Sequence, residues 1–207
     1  MRQWIVEQNH VQMDDGHGRS SGVHASGIVK YIAVRAGFLK IDDDEEGPDE
    51  VAVLRMSLGL AWEEWLSTRI PGMMYHFGEI EQDGIVMTPD GLTLDATGGR
   101  LHEFKLTWKS KRRSENWSKE WYWMAQMKNY CHALGVREAW LHVFWVNGDY
   151  QRGFANARPE YAVYGFEFTQ GELNSNWAQM LRYKDEAKAE VHGKAEDHNN
   201  ETPEHTE

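Results

Sequence analysis

One run of eight residues, 139–146 (AWLHVFWV), is apolar at every position except His142. Side chains alternate between the two faces of a strand, so a strand that is apolar on both faces is buried on both. Asn147-Gly148 follows directly and is a turn signal. The run therefore predicts a buried strand inside a sheet whose faces are covered by other elements.

The order of the other predicted elements is consistent with that sheet. Hydrophobic periodicity and turn residues predict helices at 25–39, 51–68 and 117–134, strands at 74–88, 92–96, 101–108 and 161–168, and a last helix from Thr169 to about Glu190. Ser26 is the predicted N-cap of the first helix, and Thr169-x-x-Glu172 is a capping box. In the second helix, the predicted apolar stripe comprises Val53, Leu54, Leu58, Ala61, Trp65 and Leu66. The sequence predicts an α/β fold with a mixed β-sheet flanked by helices.

The length of 207 residues suits a single domain. We expect a flexible N-terminal segment at 1–23, one domain at 24–190 and a disordered acidic tail at 191–207. The net charge of -11 is concentrated in an acidic loop at 42–50 and in the tail, so the rest of the chain is formally neutral. The absence of a secretory signal or a long apolar run predicts a cytoplasmic protein of a bacterial or phage-infected cell, with no membrane partner.

Cys131 is the single cysteine. An internal disulfide, an iron–sulfur cluster and a cysteine-based zinc site each need more thiols than one. Oxygen or imidazole ligands would therefore have to hold any metal ion.

Residues 101–106 (LHEFKL) carry the most informative polar pattern. Strand alternation places Phe104 and Leu106 on a face that can enter the core, and Glu103 with Lys105 on the other face. Asp83 lies in the preceding strand-like run, and a hairpin would bring it beside Glu103. Two converging carboxylates repel each other and need a cation, for which Mg²⁺ is suited, and the cation would activate a water for attack on a phosphodiester. The alternative is an ordinary surface ion pair.

Further motifs stand around that pattern in a fixed order. Gly59-x-x-x-Glu63 precedes Asp83 and Glu103-x-Lys105, and Gln126-x-x-x-Tyr130 follows them. Together the motifs resemble those of the PD-(D/E)XK nuclease superfamily, in its lambda-exonuclease-like and RecB-like branch. The resemblance implies a restriction-endonuclease-like core.

The resemblance also implies roles for single residues. Glu63, Asp83 and Glu103 would bind the metal, with the backbone carbonyl of Phe104 helping, and Lys105 would position the attacking water. Mg²⁺ is the implied cofactor, Mn²⁺ would substitute for it, and no iron–sulfur cluster is expected. Asp90 and Asp95 are interpreted as hairpin-turn and strand-end residues.

Other residues are expected to hold DNA or to support the site. Gln126 and Tyr130 lie one helical turn apart and would contact the DNA backbone or steady Lys105. A basic segment interleaved with tryptophans leaves the catalytic strand and would grip a strand of DNA; it contains Lys109, Lys111, Arg112 and Arg113. A solvated loop with its tryptophans in the core is the alternative. Ser26 resembles a substrate-facing residue at the start of the first helix.

The function implied is that of a DNA exonuclease acting on linear ends in recombination or repair, with a phage-like character. DNA, double- or single-stranded, is the expected partner. A homo-oligomer and a single-strand annealing or motor protein are compatible with the resemblance. A structure-specific or nicking endonuclease, and a DNA-binding accessory protein with an inactive core, stay open as alternatives.

Overall fold

A computed structural model describes residues 22–38, 50–96, 98–109, 111, 117, 120–148 and 158–199, with side chains of the last helix described as far as residue 186. The strands described are β1 Val23–His24, β2 Met74–Tyr75, β3 Ile80–Gln82, β4 Ile85–Met87, β5 Gly91–Asp95, β6 Gly98–Thr107, β7 Glu138–Trp145 and β8 Glu160–Glu167. The helices described are α1 Ala25–Arg35, α2 Glu50–Ser67, α3 Trp121–Leu134 and α4 Gln170–Asn199.

The strands form two mixed sheets. The larger has the order β2-β5-β6-β7-β8, in which β6 and β7 are parallel and the other pairs antiparallel. The smaller has the order β1-β4-β3, in which β1 pairs parallel and β3 antiparallel with β4. The predicted α/β class with a mixed sheet flanked by helices is confirmed.

Both faces of the central strands are covered. On one face Leu101, Leu141 and Val143 are fully buried in a core that includes residues of α1, α3 and α4. On the other face Phe104 packs edge-on against Trp62 of α2, with ring centroids 5.8 Å apart. Glu103 lies on the Leu101 face and is fully buried, so the face that carries it is more deeply covered than expected.

Residues 74–88 do not form the single long strand that was predicted. They divide into β2, β3 and β4, and the last two are joined by a tight turn at Asp83-Gly84. Both turn residues have left-handed backbone angles, with φ of 52° at Asp83 and 73° at Gly84. This is the geometry that favours Asp-Gly in two-residue hairpins.

The predicted helix ends are confirmed in part. Gly135 ends α3 with φ of 67°, and the capping box is present, since the backbone N–H of Thr169 donates to Glu172 at 2.9 Å and that of Glu172 donates to Thr169 Oγ1 at 3.2 Å. Ser26 is not the N-cap of α1. His24 holds that position without a side-chain cap bond, and Ser26 is exposed in the first turn.

The predicted apolar stripe of α2 mostly faces away from the sheet. Of its members only Leu66 is buried, whereas Leu54 and Trp65 are 58% and 53% exposed. The helix instead packs through the side that carries Trp62, because this ring contacts Phe104, Phe144 and Tyr161. That orientation brings the neighbouring Glu63 toward the sheet.

Several predicted segments lie wholly or partly outside the described residues. They are the N-terminal segment up to residue 21, the acidic loop up to residue 49, and the tail from residue 200. The predicted disordered tail differs from the structure in its first part, because α4 continues to Asn199. Within the described residues, none of the helices combines the length and apolar character that crossing a bilayer requires.

Candidate active site

Glu103 and Lys105 form the centre of the candidate site, on the face of β6 that looks toward α3. Glu103 is fully buried, and its Oε1 forms an ion pair with the Lys105 ammonium. The other carboxylate oxygen, Oε2, is buried without a hydrogen-bond partner. A buried acid with an unsatisfied oxygen is costly in water-free surroundings and marks a place where a cation is favoured.

Asp90 is the acid that the fold brings to Glu103. The residue directly precedes β5, and the β5–β6 pairing of Gly91 with His102 puts the next step of the hairpin at Asp90 and Glu103. The Asp90 carboxylate accepts a hydrogen bond of 2.8 Å from the backbone N–H of Phe104. Asp90 is therefore attached to β6 between Glu103 and Lys105.

Glu63 approaches the same group from α2. Its side chain is only 13% exposed and lies 3.8 Å from the imidazole of His76, and it is hydrogen-bonded to Tyr75. Burial, together with the nearby carboxylates of Asp90 and Glu103, raises the pKa of Glu63 to about 8. The third acid predicted from the motif order is thus present, and it interacts electrostatically with the other two.

The electrostatics of the group are those of carboxylates held too close together. Burial and then Asp90 raise the pKa of Glu103, and burial raises the pKa of Asp90 despite the opposing effect of Lys105. For Lys105, burial acts to lower the pKa, but Glu103 and Asp90 outweigh it and the pKa is raised. Lys105 is accordingly an ammonium at neutral pH and acts as a donor.

The structure does not bring Asp83 to this group, contrary to the expectation. Asp83 occupies the β3–β4 turn of the smaller sheet, where its carboxylate accepts a hydrogen bond of 2.9 Å from the indole N–H of Trp177. Its backbone carbonyl accepts another of 2.9 Å from the Lys184 ammonium. These contacts attach the turn to α4, so Asp83 has a structural role. Asp90 occupies the position beside Glu103 that was expected for Asp83.

Both aspartates precede a glycine, and one local signal in the sequence distinguishes them. Asp83-Gly84 is a hairpin-turn dipeptide, which accounts for the turn. Asp90 follows Pro89, and this Pro-Asp pair matches the first two residues of the PD-(D/E)XK motif. Tyr75 and His76, which line Glu63, carry no comparable signal, because only the pairing of β2 with β5 brings them there.

The helix motif Gln126-x-x-x-Tyr130 lies on α3. The Gln126 amide donates a hydrogen bond of 2.9 Å to the Tyr130 hydroxyl, and Tyr130 is buried in the core. The adjacent Cys131 is close enough for Glu103 to affect it, because burial and then Glu103 raise the pKa of its thiol to about 12. The motif therefore belongs to the helix that covers Glu103, and its contact with DNA stays a prediction.

Two of the basic residues expected to hold DNA have acidic partners in the protein. Lys109 donates to both carboxylate oxygens of buried Glu120, at 2.9 and 2.8 Å, and Lys111 forms an ion pair with Glu160. Arg112 and Arg113 lie outside the described residues.

The residues of the group suit a hard divalent cation. All three acids offer oxygen ligands, the type that Mg²⁺ prefers, and one of those oxygens is buried and unsatisfied. As the side chains stand, no set of three His, Cys, Asp or Glu residues within the described chain is already arranged to hold a metal ion. Binding would therefore require the Lys105 ammonium and the carboxyl groups to shift relative to one another.

No family model matches the chain, and no curated protein matches it. Among solved structures, it is similar to LHK-Exo in complex with dAMP at 14% identity and a TM-score of 0.51, over 87% of this chain and 95% of that one. An alkaline exonuclease (LHK-Exo) from Laribacter hongkongensis matches at 15% identity and a TM-score of 0.48, over 87% and 95% of the two chains. A phage related exonuclease from Haemophilus somnus 129PT matches at 12% identity and a TM-score of 0.47, over 83% of each. At such identity the LHK-Exo match shows the fold: this chain has the α/β architecture found in an exonuclease.

Proposed function

We propose that this protein is a metal-dependent deoxyribonuclease whose site consists of Glu63, Asp90, Glu103 and Lys105. The observation that carries the proposal is the convergence of three acids from a helix, a hairpin turn and a strand. Burial raises the pKa of each acid, and Asp90 raises the pKa of Glu63 and Glu103 further. Such a group gains most by binding a cation. A single ammonium cannot neutralise three carboxylates.

The three carboxylates, with the Phe104 carbonyl, would hold Mg²⁺, and Mn²⁺ would replace it. When bound, the cation supplies Lewis-acid polarisation of the phosphodiester and neutralises charge on the leaving oxygen. Lys105, held as an ammonium by its acidic neighbours, orients a water by donating a hydrogen bond to it. Asp90 is held in place by the Phe104 N–H, so the ligand set is attached to the sheet rather than to a free loop. Gln126 and Tyr130 support the site from α3.

The fold shared with LHK-Exo supports DNA as the substrate and exonucleolytic digestion from linear ends as the reaction. A role in recombination or repair, a homo-oligomer, and a single-strand annealing or motor protein as partner belong to the same proposal. An endonuclease with the same site is the alternative activity. The topology of the DNA substrate distinguishes it from an exonuclease. If the protein cleaves covalently closed circular DNA as fast as linear DNA, it is an endonuclease and the exonuclease proposal is wrong.

The test compares two aspartates in one assay. We expect wild-type protein to digest end-labelled linear duplex with Mg²⁺ and not with EDTA, and we expect Asp90→Asn and Glu103→Gln to lower the rate at least 100-fold. Asp83→Asn is the matched control and should retain the wild-type rate within about threefold. If Asp83→Asn is inactive while Asp90→Asn is active, the assignment of Asp90 is wrong. If all variants are as active as wild type, the hydrolysis comes from another site or a contaminant.

A further inference from the structure

An open cleft lies between α2 and the end of β6. It is lined by Arg55 and Gly59 of α2 and by Thr107, Trp108 and Lys109 at the end of β6. Gly59 precedes Glu63 by one helical turn, a rise of about 6 Å. Thr107 follows Lys105 by two strand residues, again about 6 to 7 Å. Measured along its own element, each of Gly59 and Thr107 therefore lies about 6 to 7 Å from a residue of the acidic group.

Gly59 has no packing reason to be glycine. It lies in the interior of α2, where glycine costs about 1 kcal/mol of helix stability relative to alanine. A Cβ built at Gly59 meets no described atom within 4 Å, so neither close packing nor a positive φ requires the small residue. The absence of a side chain at Gly59 leaves open space in the cleft.

Arg55 and Trp108 give the cleft a cation and an aromatic surface. The guanidinium carbon of Arg55 lies 5.2 Å from the centroid of the Trp108 ring. Trp108 is fixed through its backbone, because its carbonyl accepts a hydrogen bond of 3.1 Å from the Asn147 amide. The neighbouring Thr107 carbonyl accepts one of 2.9 Å from the backbone N–H of Val146. The aromatic surface is therefore held by the end of β7.

Lys109, also at the cleft, already has an acidic partner. Its ammonium lies between the two carboxylate oxygens of Glu120. Arg55, which is exposed, is thus the cation better placed to meet an anionic ligand there. The cleft offers about 580 Å³, which falls within the range of small-ligand sites.

We infer that this cleft, defined by Arg55, Gly59 and Trp108, binds one nucleotide of an unpaired DNA strand next to the phosphate that is cut. The base stacks on Trp108, the phosphate pairs with Arg55, and the absent side chain of Gly59 leaves the space that the nucleotide occupies. The inference rests on the proposed nuclease function and specifies its substrate as a strand that is single at this point.

Binding of fluorescein-labelled hexathymidylate, measured by anisotropy in EDTA, tests the cleft without hydrolysis. We expect Gly59→Phe to weaken binding at least fivefold and Gly59→Ala less than twofold, because only the larger side chain fills the space. Trp108→Leu should weaken binding by between about 5- and 160-fold, the range for losing a base–aromatic stack, and Arg55→Gln by several-fold.

The C-terminal end of α2 and the residues after it provide matched controls. Arg69 lies over the Trp65 ring at 3.8 Å, the same pairing of residue types outside the cleft lining. Trp65→Leu and Arg69→Gln should leave the Kd unchanged. Thermal unfolding of each variant identifies any that fail to fold, and Gly59→Ala gives a folded reference.

Unchanged affinity in the folded Gly59→Phe and Trp108→Leu proteins overturns the inference, as does an equal loss in the Trp65→Leu control. Equal weakening of a blunt duplex of 12 base pairs would overturn the restriction to an unpaired strand. Failure of the nuclease proposal is distinguishable, since it would leave wild type binding hexathymidylate through the cleft but unable to cut DNA with Mg²⁺.

Discussion

The carboxylate of Asp90 and the backbone N–H of Phe104 are joined by a hydrogen bond of 2.8 Å. Because Phe104 stands between Glu103 and Lys105, this bond sets the position of Asp90 relative to both of these β6 side chains. An asparagine at position 90 keeps an oxygen that can accept the same bond while removing the charge.

We therefore predict that Asp90→Asn is more stable than wild type without metal, although it loses activity. Removing the buried charge of Asp90, which burial disfavours, should raise the Tm in EDTA by about 2–4 °C, which corresponds to about 1 kcal/mol in a protein of this size. Adding Mg²⁺ should raise the Tm of wild type and leave that of the variant nearly unchanged. Thermal unfolding with and without Mg²⁺ measures both effects, and a Tm of wild type that is insensitive to Mg²⁺ would contradict the prediction.

Glu63 should make stability without metal fall as the pH rises, and this effect should dominate between about pH 6.5 and 8. The pKa of Glu63 is raised to about 8, by burial first and then by Asp90 and Glu103, so between its ordinary value and 8 the folded state binds more protons than the unfolded state. The stabilisation is complete at low pH and is lost through that window, at up to about 1.4 kcal/mol per pH unit. Chemical denaturation in EDTA at several pH values measures the slope. Glu63→Gln should flatten it, and an unchanged slope would show that Glu63 does not titrate there.

Below about pH 6.5, a pair of histidines should give the stability of the protein the opposite dependence on pH. His102 Nδ1 and His142 Nε2 are hydrogen-bonded at 2.9 Å inside the sheet. Burial, and then Arg100, lowers the pKa of His102 to about 4, while burial and then His102 lowers the pKa of His142 to about 3. The unfolded state then binds more protons below about pH 6.5, so stability is lost as the pH falls from there toward 4.

His142→Gln should make that acidic slope shallower while leaving the slope above pH 7 as in wild type. The measurement is the same denaturation series, extended to pH 4.5. Glu63→Gln changes the slope of stability above pH 7, whereas His142→Gln changes the acidic slope. Each variant is therefore the control for the other. Identical acidic slopes in His142→Gln and wild type would contradict the assignment.

Asp83 should matter for folding and not for catalysis. Its φ of 52° is rare for residues other than glycine, asparagine and aspartate, and its carboxylate accepts the Trp177 hydrogen bond. We predict that Asp83→Val lowers stability by about 2 kcal/mol, while Asp83→Asn loses less than about 1 kcal/mol. Urea denaturation gives both values. Equal stability of the two variants would mean that the turn geometry does not limit this position.

Lys109 should stabilise the fold through Glu120. Glu120 is 3% exposed, and Lys109→Met would leave its carboxylate buried without that cation. We expect a loss of about 1–2 kcal/mol, less than for a fully buried pair because half of Lys109 is in solvent. Lys109→Met combined with Glu120→Gln should recover part of the loss in a double-mutant cycle. A coupling energy near zero would instead free Lys109 for the DNA contact predicted from the sequence.

Local patterns predicted the parts of this protein that depend on near neighbours in the chain. Strand alternation put Glu103 and Lys105 on one face, and the bonds between Thr169 and Glu172 were expected from four consecutive residues. Gly135 was expected to end its helix because only a left-handed residue fits there. Each of these depends on the backbone conformation of a few adjacent residues, which their side chains largely determine.

The Pro89-Asp90 pair was a local signal for Asp90, but it did not by itself decide between Asp83 and Asp90. Both precede a glycine and both stand before Glu103, and only the strand pairing that aligns Gly91 with His102 brings one of them to the acids. The orientation of α2 is a second case. Its apolar residues predicted the buried side, yet Trp62 packs on the sheet while Leu54 and Trp65 stay exposed. The sequence alone determined which residue types share a face, and tertiary packing decided what covers that face, because contacts between distant segments form only when the whole chain folds.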